Sequence, residues 1–235
     1  MKTSHFLLFF MLISLFSCTN LTTETPEPEN QNQVYNENPI RFSALEVGQK
    51  SAYVMLIGSN YSDSLNFDDF YYFNDTLIVE IISEDENGFL VEEYTTPGSV
   101  PLYNMSDTTY QYYLKVENDL LKVYHPDAQY GILSYLFWHS VDSLDLTPFT
   151  NQEIQIKGWK TSLEYCECDH FGYVQNYELF GMTYDYLNVS VRDFFMAVDG
   201  DGTTFVYSNT DGLVRTTSYS WWGQTGTGWD LLGSN

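Results

Sequence analysis

The sequence is poor in basic residues, in alanine and in long apolar runs. Its 235 residues include 9 Lys and Arg against 32 Asp and Glu, which gives a formal net charge of −23. This charge excludes sequence-independent binding of nucleic acid and attachment to anionic lipid through a basic patch, because both need clustered cations. Alanine, the best helix former, occurs only four times and tyrosine 20 times, which argues against a mainly helical protein.

No apolar run is long enough to cross a bilayer as a helix. The run at residues 6–16, FLLFFMLISLF, has eleven residues, whereas a spanning helix needs about 20. Because Lys2 precedes it, the run matches the apolar core of a secretory signal peptide. Disorder is excluded for most of the chain that follows, since aromatic and β-branched residues are plentiful there.

The apolar run ends on Leu15, Phe16, Ser17 and Cys18. A small residue directly before a cysteine, with an apolar residue further back, resembles the lipobox of bacterial lipoproteins. In that family the cysteine thiol receives a diacylglycerol and the peptide is cut just before it. The resemblance therefore implies a signal peptide at 1–17 and lipidation of Cys18. The alternatives are an ordinary signal peptide with a chance cysteine, or a buried N-terminal helix.

Residues 18–38 favour a flexible tether, because they are rich in Thr, Glu, Pro and Asn and lack apolar periodicity. A globular domain needs such a tether when a lipid holds its first residue at a membrane. By resemblance to known lipoproteins, Thr19 is not an inner-membrane retention signal, which implies the outer membrane of a Gram-negative cell. Acidic residues close behind Cys18 resemble the surface-export signals of some bacteria, so both the periplasmic side and the cell surface stay open.

Residues 39–235 favour an all-β domain. Residues 110–116 alternate between two faces, as expected of a half-buried strand, and tight turns rich in Gly, Asn and Asp make neighbouring strands antiparallel. We predict a single large antiparallel sheet, curled into an open barrel or a sandwich, with one irregular crossover at 124–149 that contains a short helix. The predicted strands are 51–58, 77–83, 88–95, 110–116, 120–124, 153–160, 173–181, 184–195, 203–208 and 213–222.

The layout of the second half of the chain loosely resembles envelope lipoproteins with a curled antiparallel sheet. These include the unclosed barrels that carry acyl chains in lipoprotein trafficking. Residues 207–215, YSNTDGLVR, are typical of the last hairpin in such domains. The resemblance implies a fold and no particular activity.

Cys166, Cys168 and His170 bring together residue types that bind soft metals. Residues two apart on an extended strand point to the same face, and thiolate with imidazole suits zinc or copper. Three ligands so close in sequence cannot surround a metal alone. A short-range disulfide, inert thiols and a metal site are therefore the alternatives.

The aromatic residues are the strongest indication of a ligand. Both faces of 110–116 carry rings, which exceeds what one core face can use. The alternative is that both faces of the sheet are covered. The candidates for stacking on a sugar or lining an apolar pocket are Tyr110, Tyr112, Tyr113, Trp138, Trp221 and Trp222.

Signals for catalysis are weak. The glycine-x-serine-x-glycine elbow is absent, and pairs of acids such as Glu92 and Glu93 indicate solvated faces. We predict a non-catalytic protein without a cofactor that binds a small apolar ligand or a glycan, or that is an accessory part of an envelope assembly. A structural or adhesion lipoprotein that contacts a protein partner, and a hydrolase with an acidic site, are the alternatives.

Overall fold

The computed structural model describes residues 45–59, 70–96, 109–118, 120–124, 134–137, 143–145, 152–157, 160–161, 169–192, 201–208, 210–220 and 225–235. These residues belong to one compact unit, Gln33–Asn235. Within the described ranges every regular element is a strand, and none forms a helix that could span a membrane. The predicted all-β fold class is confirmed.

Thirteen strands occur in the described residues, and eleven of them form one antiparallel sheet. The other two, β7 and β8, form a separate two-stranded sheet. The strands are β1 (Lys50–Ser59), β2 (Phe70–Asp85), β3 (Gly88–Thr95), β4 (Tyr110–Glu117), β5 (Leu120–Tyr124), β6 (Ser143–Asp145), β7 (Ile156–Lys157), β8 (Lys160–Thr161), β9 (Asp169–Leu179), β10 (Met182–Arg192), β11 (Asp201–Ser208), β12 (Gly212–Ser220) and β13 (Thr225–Ser234).

The large sheet consists of two up-and-down meanders joined at its centre. Its order is β6-β5-β4-β3-β2-β1-β13-β12-β11-β10-β9. The first strand pairs with the last, from Ser51 opposite Ser234 to Ser59 opposite Thr225. Among the described strands β6 and β9 are the two ends of this order, so the sheet stays open, as predicted.

The sequence pattern does not predict β13, although it is a central strand. Its sequence, TGTGWDLLGS, contains three glycines, which normally weaken a strand. The packing of β12 explains the glycine at position 228, because a Cβ there would lie 2.3 Å from the backbone oxygen of Thr216 on β12. The two backbones come so close that only glycine fits. A residue type that is typical of turns therefore lies inside a strand of the sheet.

Three other predictions differ from the structure in detail. β2 begins at Phe70 rather than at residue 77, because residues 70–72 also pair with β1. The single strand predicted at 153–160 is wrong, since β7 and β8 form a hairpin there. In the predicted crossover, β6 pairs with β5, and residues 134–137 form a bend and not a helix.

The sheet curls around residues 134–137, which we call the inner segment. The ring of Phe137 lies 5.7 Å from that of Tyr112 on β4 and 6.0 Å from that of Phe205 on β11. The two outer rings are therefore no more than about 12 Å apart, whereas β4 and β11 are six strands apart in the order. A flat sheet would separate them by about 29 Å at a strand spacing of about 4.8 Å.

Both faces of the sheet bury side chains. The concave face, which contacts the inner segment, includes Tyr112, Phe205 and Trp229. The opposite face buries Leu56, Leu187, Val189 and Val206 by the alternation of their strands. Both faces of the sheet therefore bury side chains, which is the alternative that the sequence left open.

The face opposite the concave one contains a buried ion pair. Arg215 on β12 donates two hydrogen bonds to the carboxylate of Asp230, its partner on β13, and the two side chains are 3% and 0% exposed. The hydroxyl of Tyr72 on β2 donates to Asp230 Oδ2 at 2.7 Å, and the ring of Tyr177 on β9 lies 6.0 Å from the guanidinium carbon. Burial disfavours the charged guanidinium, but the hydrogen bonds and charge of Asp230 outweigh it and raise the pKa of Arg215.

We expect Arg215→Met to lower the free energy of unfolding by about 3–5 kcal/mol, because it leaves the buried carboxylate of Asp230 without its partner. The double variant Arg215→Met with Asp230→Leu should recover most of this loss, since no buried charge remains. Urea denaturation followed by tryptophan fluorescence measures both.

The control is Lys115→Met, which breaks a pair with Glu117 whose side chains are 38% and 33% exposed. Solvent screens that pair, so its loss should be much smaller. Equal losses in Arg215→Met and Lys115→Met would contradict the structural role of the buried pair.

Candidate functional site

A cavity of about 50 Å³ opens on the concave face and is partly open to solvent. Alternate residues of β2 to β5 form one wall, because side chains two apart on a strand share a face. Tyr53 on β1 and Leu213 on β12 lie on the other side, where the Tyr53 hydroxyl donates to the Leu213 carbonyl at 2.9 Å. The wall from β2 to β5 consists of Val79, Ile81, Val91, Tyr112, Leu114 and Leu121.

Three polar residues also line the cavity: Gln49, Ser51 and Asp211. Gln49 Oε1 is a buried acceptor that receives no hydrogen bond in the described part of the chain. Asp211 lies in the β11–β12 turn, where its Oδ2 accepts hydrogen bonds from the hydroxyls of Ser208 at 2.9 Å and Thr210 at 2.6 Å. These bonds fix the turn and place one carboxylate at the cavity.

A buried carboxylate, Glu93, ties the inner segment to the sheet. Glu93 on β3 is 0% exposed. Its Oε1 accepts hydrogen bonds from the Tyr112 hydroxyl at 2.6 Å and the Ser134 hydroxyl at 2.9 Å, and its Oε2 accepts one from the Tyr135 backbone N–H at 2.6 Å. Ser134 Oγ in turn accepts from the Phe137 N–H at 3.0 Å, which closes the bend.

The environment of Glu93 shifts its ionisation. Burial raises the pKa of Glu93, and the hydrogen bonds from Tyr112, Tyr135 and Ser134 oppose this only in part. The negative charge of Glu93 also contributes to the raised pKa of Tyr112, after the larger effect of burial. The network therefore holds its proton more tightly in the folded protein than in the unfolded chain.

The far side of the inner segment contacts the second meander. The Thr216 hydroxyl on β12 donates to the Leu136 carbonyl at 3.1 Å, and the Tyr135 ring lies 6.0 Å from that of Trp229 on β13. Leu136 and Phe137 also line the cavity. The inner segment thus forms one wall of the cavity and connects the two meanders.

The structure places the predicted ligand-stacking tyrosines in three different surroundings. Tyr112 lines the cavity and is fully buried. Tyr110 packs its ring 4.9 Å from Tyr135 on the concave face. Tyr113 lies on the other face, and its hydroxyl donates to Asp85 Oδ2 at 3.2 Å. Of the three, only Tyr112 is a wall residue of the cavity.

The other predicted site residues lie outside the described residues: Cys18, Trp138, Cys166, Cys168, Trp221 and Trp222. The backbone of His170 is described, in β9 opposite Val191. Lipidation of Cys18 stays a prediction. The three alternatives for Cys166, Cys168 and His170, a disulfide, inert thiols and a metal site, stay predictions as well. Within the described residues, no three side chains of His, Cys, Asp or Glu are arranged to hold a metal ion.

Sequence reasoning missed the buried role of Glu93, which it assigned with Glu92 to a solvated face. The alternation of β3 carries the signal, since Val91 and Glu93 fall on the same face and Val91 is fully buried. Glu92 lies on the other face and accepts a hydrogen bond from Gln111 at 2.8 Å. The inner segment, which supplies the Ser134 and Tyr135 donors for Glu93, comes from an irregular stretch with no such signal.

No protein-family model matches the chain, and neither a curated protein nor a solved structure matches it.

We expect the stability of the wild type, compared with Glu93→Gln, to fall as the pH rises from 4.5 through the raised pKa of Glu93. The pKa of Glu93 is raised above its ordinary value of 4.5 in the folded protein. The contribution of protonated Glu93 to the free energy of unfolding is thus complete below pH 4.5, and it is lost as the pH rises through the raised pKa. Glutamine does not titrate, and its amide can donate to the two hydroxyls. Chemical denaturation at several pH values measures the difference, and identical pH profiles would contradict this assignment.

Glu93→Ala provides the comparison at fixed pH. It removes the acceptor of the buried Tyr135 N–H, and each buried donor without a partner costs about 1–3 kcal/mol. The loss should therefore appear at every pH, unlike the pH-dependent difference between the wild type and Glu93→Gln.

Proposed function

We propose that this protein is a lipid-anchored envelope protein of a Gram-negative outer membrane, whose curled sheet binds a small apolar molecule without catalysis. The observation that carries the binding proposal is the apolar, partly open cavity on the concave face. The anchor rests on the lipobox resemblance at residues 15–18 and on the tether that follows. A sheet carried on such a tether can meet ligands at the membrane surface.

The size of the cavity limits what enters it. Its volume is about 50 Å³, whereas a dry cavity that accepts benzene measures about 150 Å³. A whole aromatic ring is therefore too large for the cavity in this conformation. The cavity suits the narrow end of a chain-like molecule, with the rest of the ligand in the open mouth.

The polar lining favours a ligand that donates a hydrogen bond and carries no negative charge. A hydroxyl group would satisfy the buried acceptor Gln49 Oε1, since buried polar atoms rarely go without a partner. Asp211 lines the same cavity, and its negative charge would repel a carboxylate or a phosphate. Straight-chain primary alcohols combine the shape and the chemistry that the lining selects.

The described lining supports binding rather than hydrolysis. Asp211 is the one carboxylate among the described lining residues, and acid–base hydrolysis of the glycosidase type needs two. Glu93 does not line the cavity, and its oxygens accept hydrogen bonds that hold the inner segment.

We expect 1-octanol to bind the purified domain and octanoate to bind at least tenfold more weakly, because Asp211 repels the carboxylate. Val79→Phe should abolish octanol binding, since the larger side chain fills the cavity that Val79 lines. Isothermal titration calorimetry measures the affinities. Circular dichroism checks that the variant keeps its sheet.

The matched control is Ile82→Phe, which makes a similar change on the same strand at a side chain that is 41% exposed. This variant should bind octanol as the wild type does. Equal binding of octanol by Val79→Phe, or no binding by the wild type, would overturn the assignment of the cavity as a ligand site.

We expect Cys18→Ser to release the protein from membranes, because the lipid on the thiol provides the anchor. Wild-type protein expressed in Gram-negative cells should enter the detergent phase on Triton X-114 partitioning and incorporate labelled palmitate. Cys18→Ser should do neither. A Cys18→Ser variant that partitions as the wild type does would contradict lipidation at this residue.

A further inference from the structure

Three aromatic rings form a continuous row on the face of the sheet opposite the cavity, and we call them the ring row. They are Phe70 and Tyr72 on β2 and Phe180 in the β9–β10 turn. Ring centroids lie 5.4 Å apart for Phe70 and Tyr72, and 5.0 Å apart for Tyr72 and Phe180. Tyr72 is 37% exposed and Phe180 is 46% exposed. The row therefore presents ring surface to solvent.

Phe180 has a backbone conformation that disfavours phenylalanine. Leu179 pairs with Met182, so Phe180 and Gly181 are the two loop residues of the hairpin. Their φ angles are 49° and 80°, as in a type I′ turn, where Asn-Gly is the preferred sequence. An exposed aromatic side chain in a left-handed conformation is the kind of backbone outlier that occurs at functional sites.

The ring of Tyr72, the middle one of the three, is held in place by a hydrogen bond to the buried ion pair. The Tyr72 hydroxyl donates to Asp230 Oδ2 at 2.7 Å, and the charge of Asp230 is balanced by the buried guanidinium of Arg215. Tyr72 therefore cannot turn freely, and the ion pair beneath it presents no net charge. Because its middle ring is already fixed above a neutral ion pair, the ring row loses little side-chain entropy when a ligand binds.

The exposed area of the ring row and the net charge of the protein limit the classes of ligand that can bind there. The exposed ring surface is on the order of 200 Å², since each aromatic side chain offers about 150–250 Å² when fully exposed. A stable protein interface needs about 800 Å² from each partner. The net charge of −23 disfavours polyanions and anionic lipid. A neutral ligand with apolar faces about as large as an aromatic ring fits both limits.

We propose that the ring row is a binding site for a neutral oligosaccharide, with the C–H faces of successive sugars stacked on Tyr72 and Phe180. This site lies on the face of the sheet opposite the cavity and does not depend on the function proposed for the cavity. Phe180 is the residue of the ring row that has a strained backbone conformation, so it should contribute most of the affinity.

The test uses Phe180→Asn, which places the preferred Asn-Gly pair in the turn. Maltohexaose, cellohexaose, mannohexaose and xylohexaose serve as probes in affinity electrophoresis and calorimetry with the full domain. We expect at least one of them to bind the wild type, and Phe180→Asn to weaken that binding at least tenfold. The thermal midpoint of Phe180→Asn should be equal to or higher than that of the wild type.

Two controls separate the outcomes. Tyr71→Ala removes a neighbouring ring that is 56% exposed but points to the other face, and it should leave sugar binding unchanged. Val79→Phe, which fills the cavity, should also leave it unchanged. The proposal is overturned if none of the four sugars binds the wild type, or if Phe180→Asn binds them equally. A wild type that dimerises in sedimentation, with Phe180→Asn monomeric, would identify a second copy as the occupant instead.

Discussion

β1 and β13 pair along most of their length, and this contact joins two meanders that would otherwise be separate sheets. Each meander alone would expose an unpaired edge at the centre of the present sheet. Their union brings β4 and β11 onto opposite sides of the inner segment. The concave face, the cavity on it and the burial of Trp229 all depend on this pairing of two strands that are distant in sequence.

The inner segment shows how an irregular stretch can occupy the centre of a β domain. Its backbone polar groups bond to groups from both meanders, with Glu93 as acceptor on one side and Thr216 as donor on the other. Burying a carboxylate for this purpose has an energetic cost, which the raised pKa of Glu93 expresses. The same contacts place Leu136 and Phe137 in the cavity wall. Stability and cavity shape are therefore properties of one network.

The two faces of the sheet differ in chemistry. The concave face combines apolar side chains with a few polar groups, which favours a narrow ligand with one hydrogen-bond donor. The opposite face has exposed rings above a neutralised ion pair, which favours stacking on a neutral surface. In both places the negative charges are either paired or positioned to repel anions. The large net charge thus disfavours anionic ligands without itself forming a binding motif.

The sequence alone determined the fold class and several strands, because alternation and tight turns are local properties. The predicted limits of β3 and β5 agree with the structure, and the alternation of β4 correctly placed Tyr112 and Leu114 on a buried face. Only the tertiary structure decided that β13 is a strand, that Glu93 is buried and that Phe180 packs on Tyr72. Each of these results depends on partners distant in sequence: Thr216 for Gly228, the inner segment for Glu93, and β2 for Phe180. Residue types indicate what a side chain can do, but the packing of distant strands selects which neighbours it has.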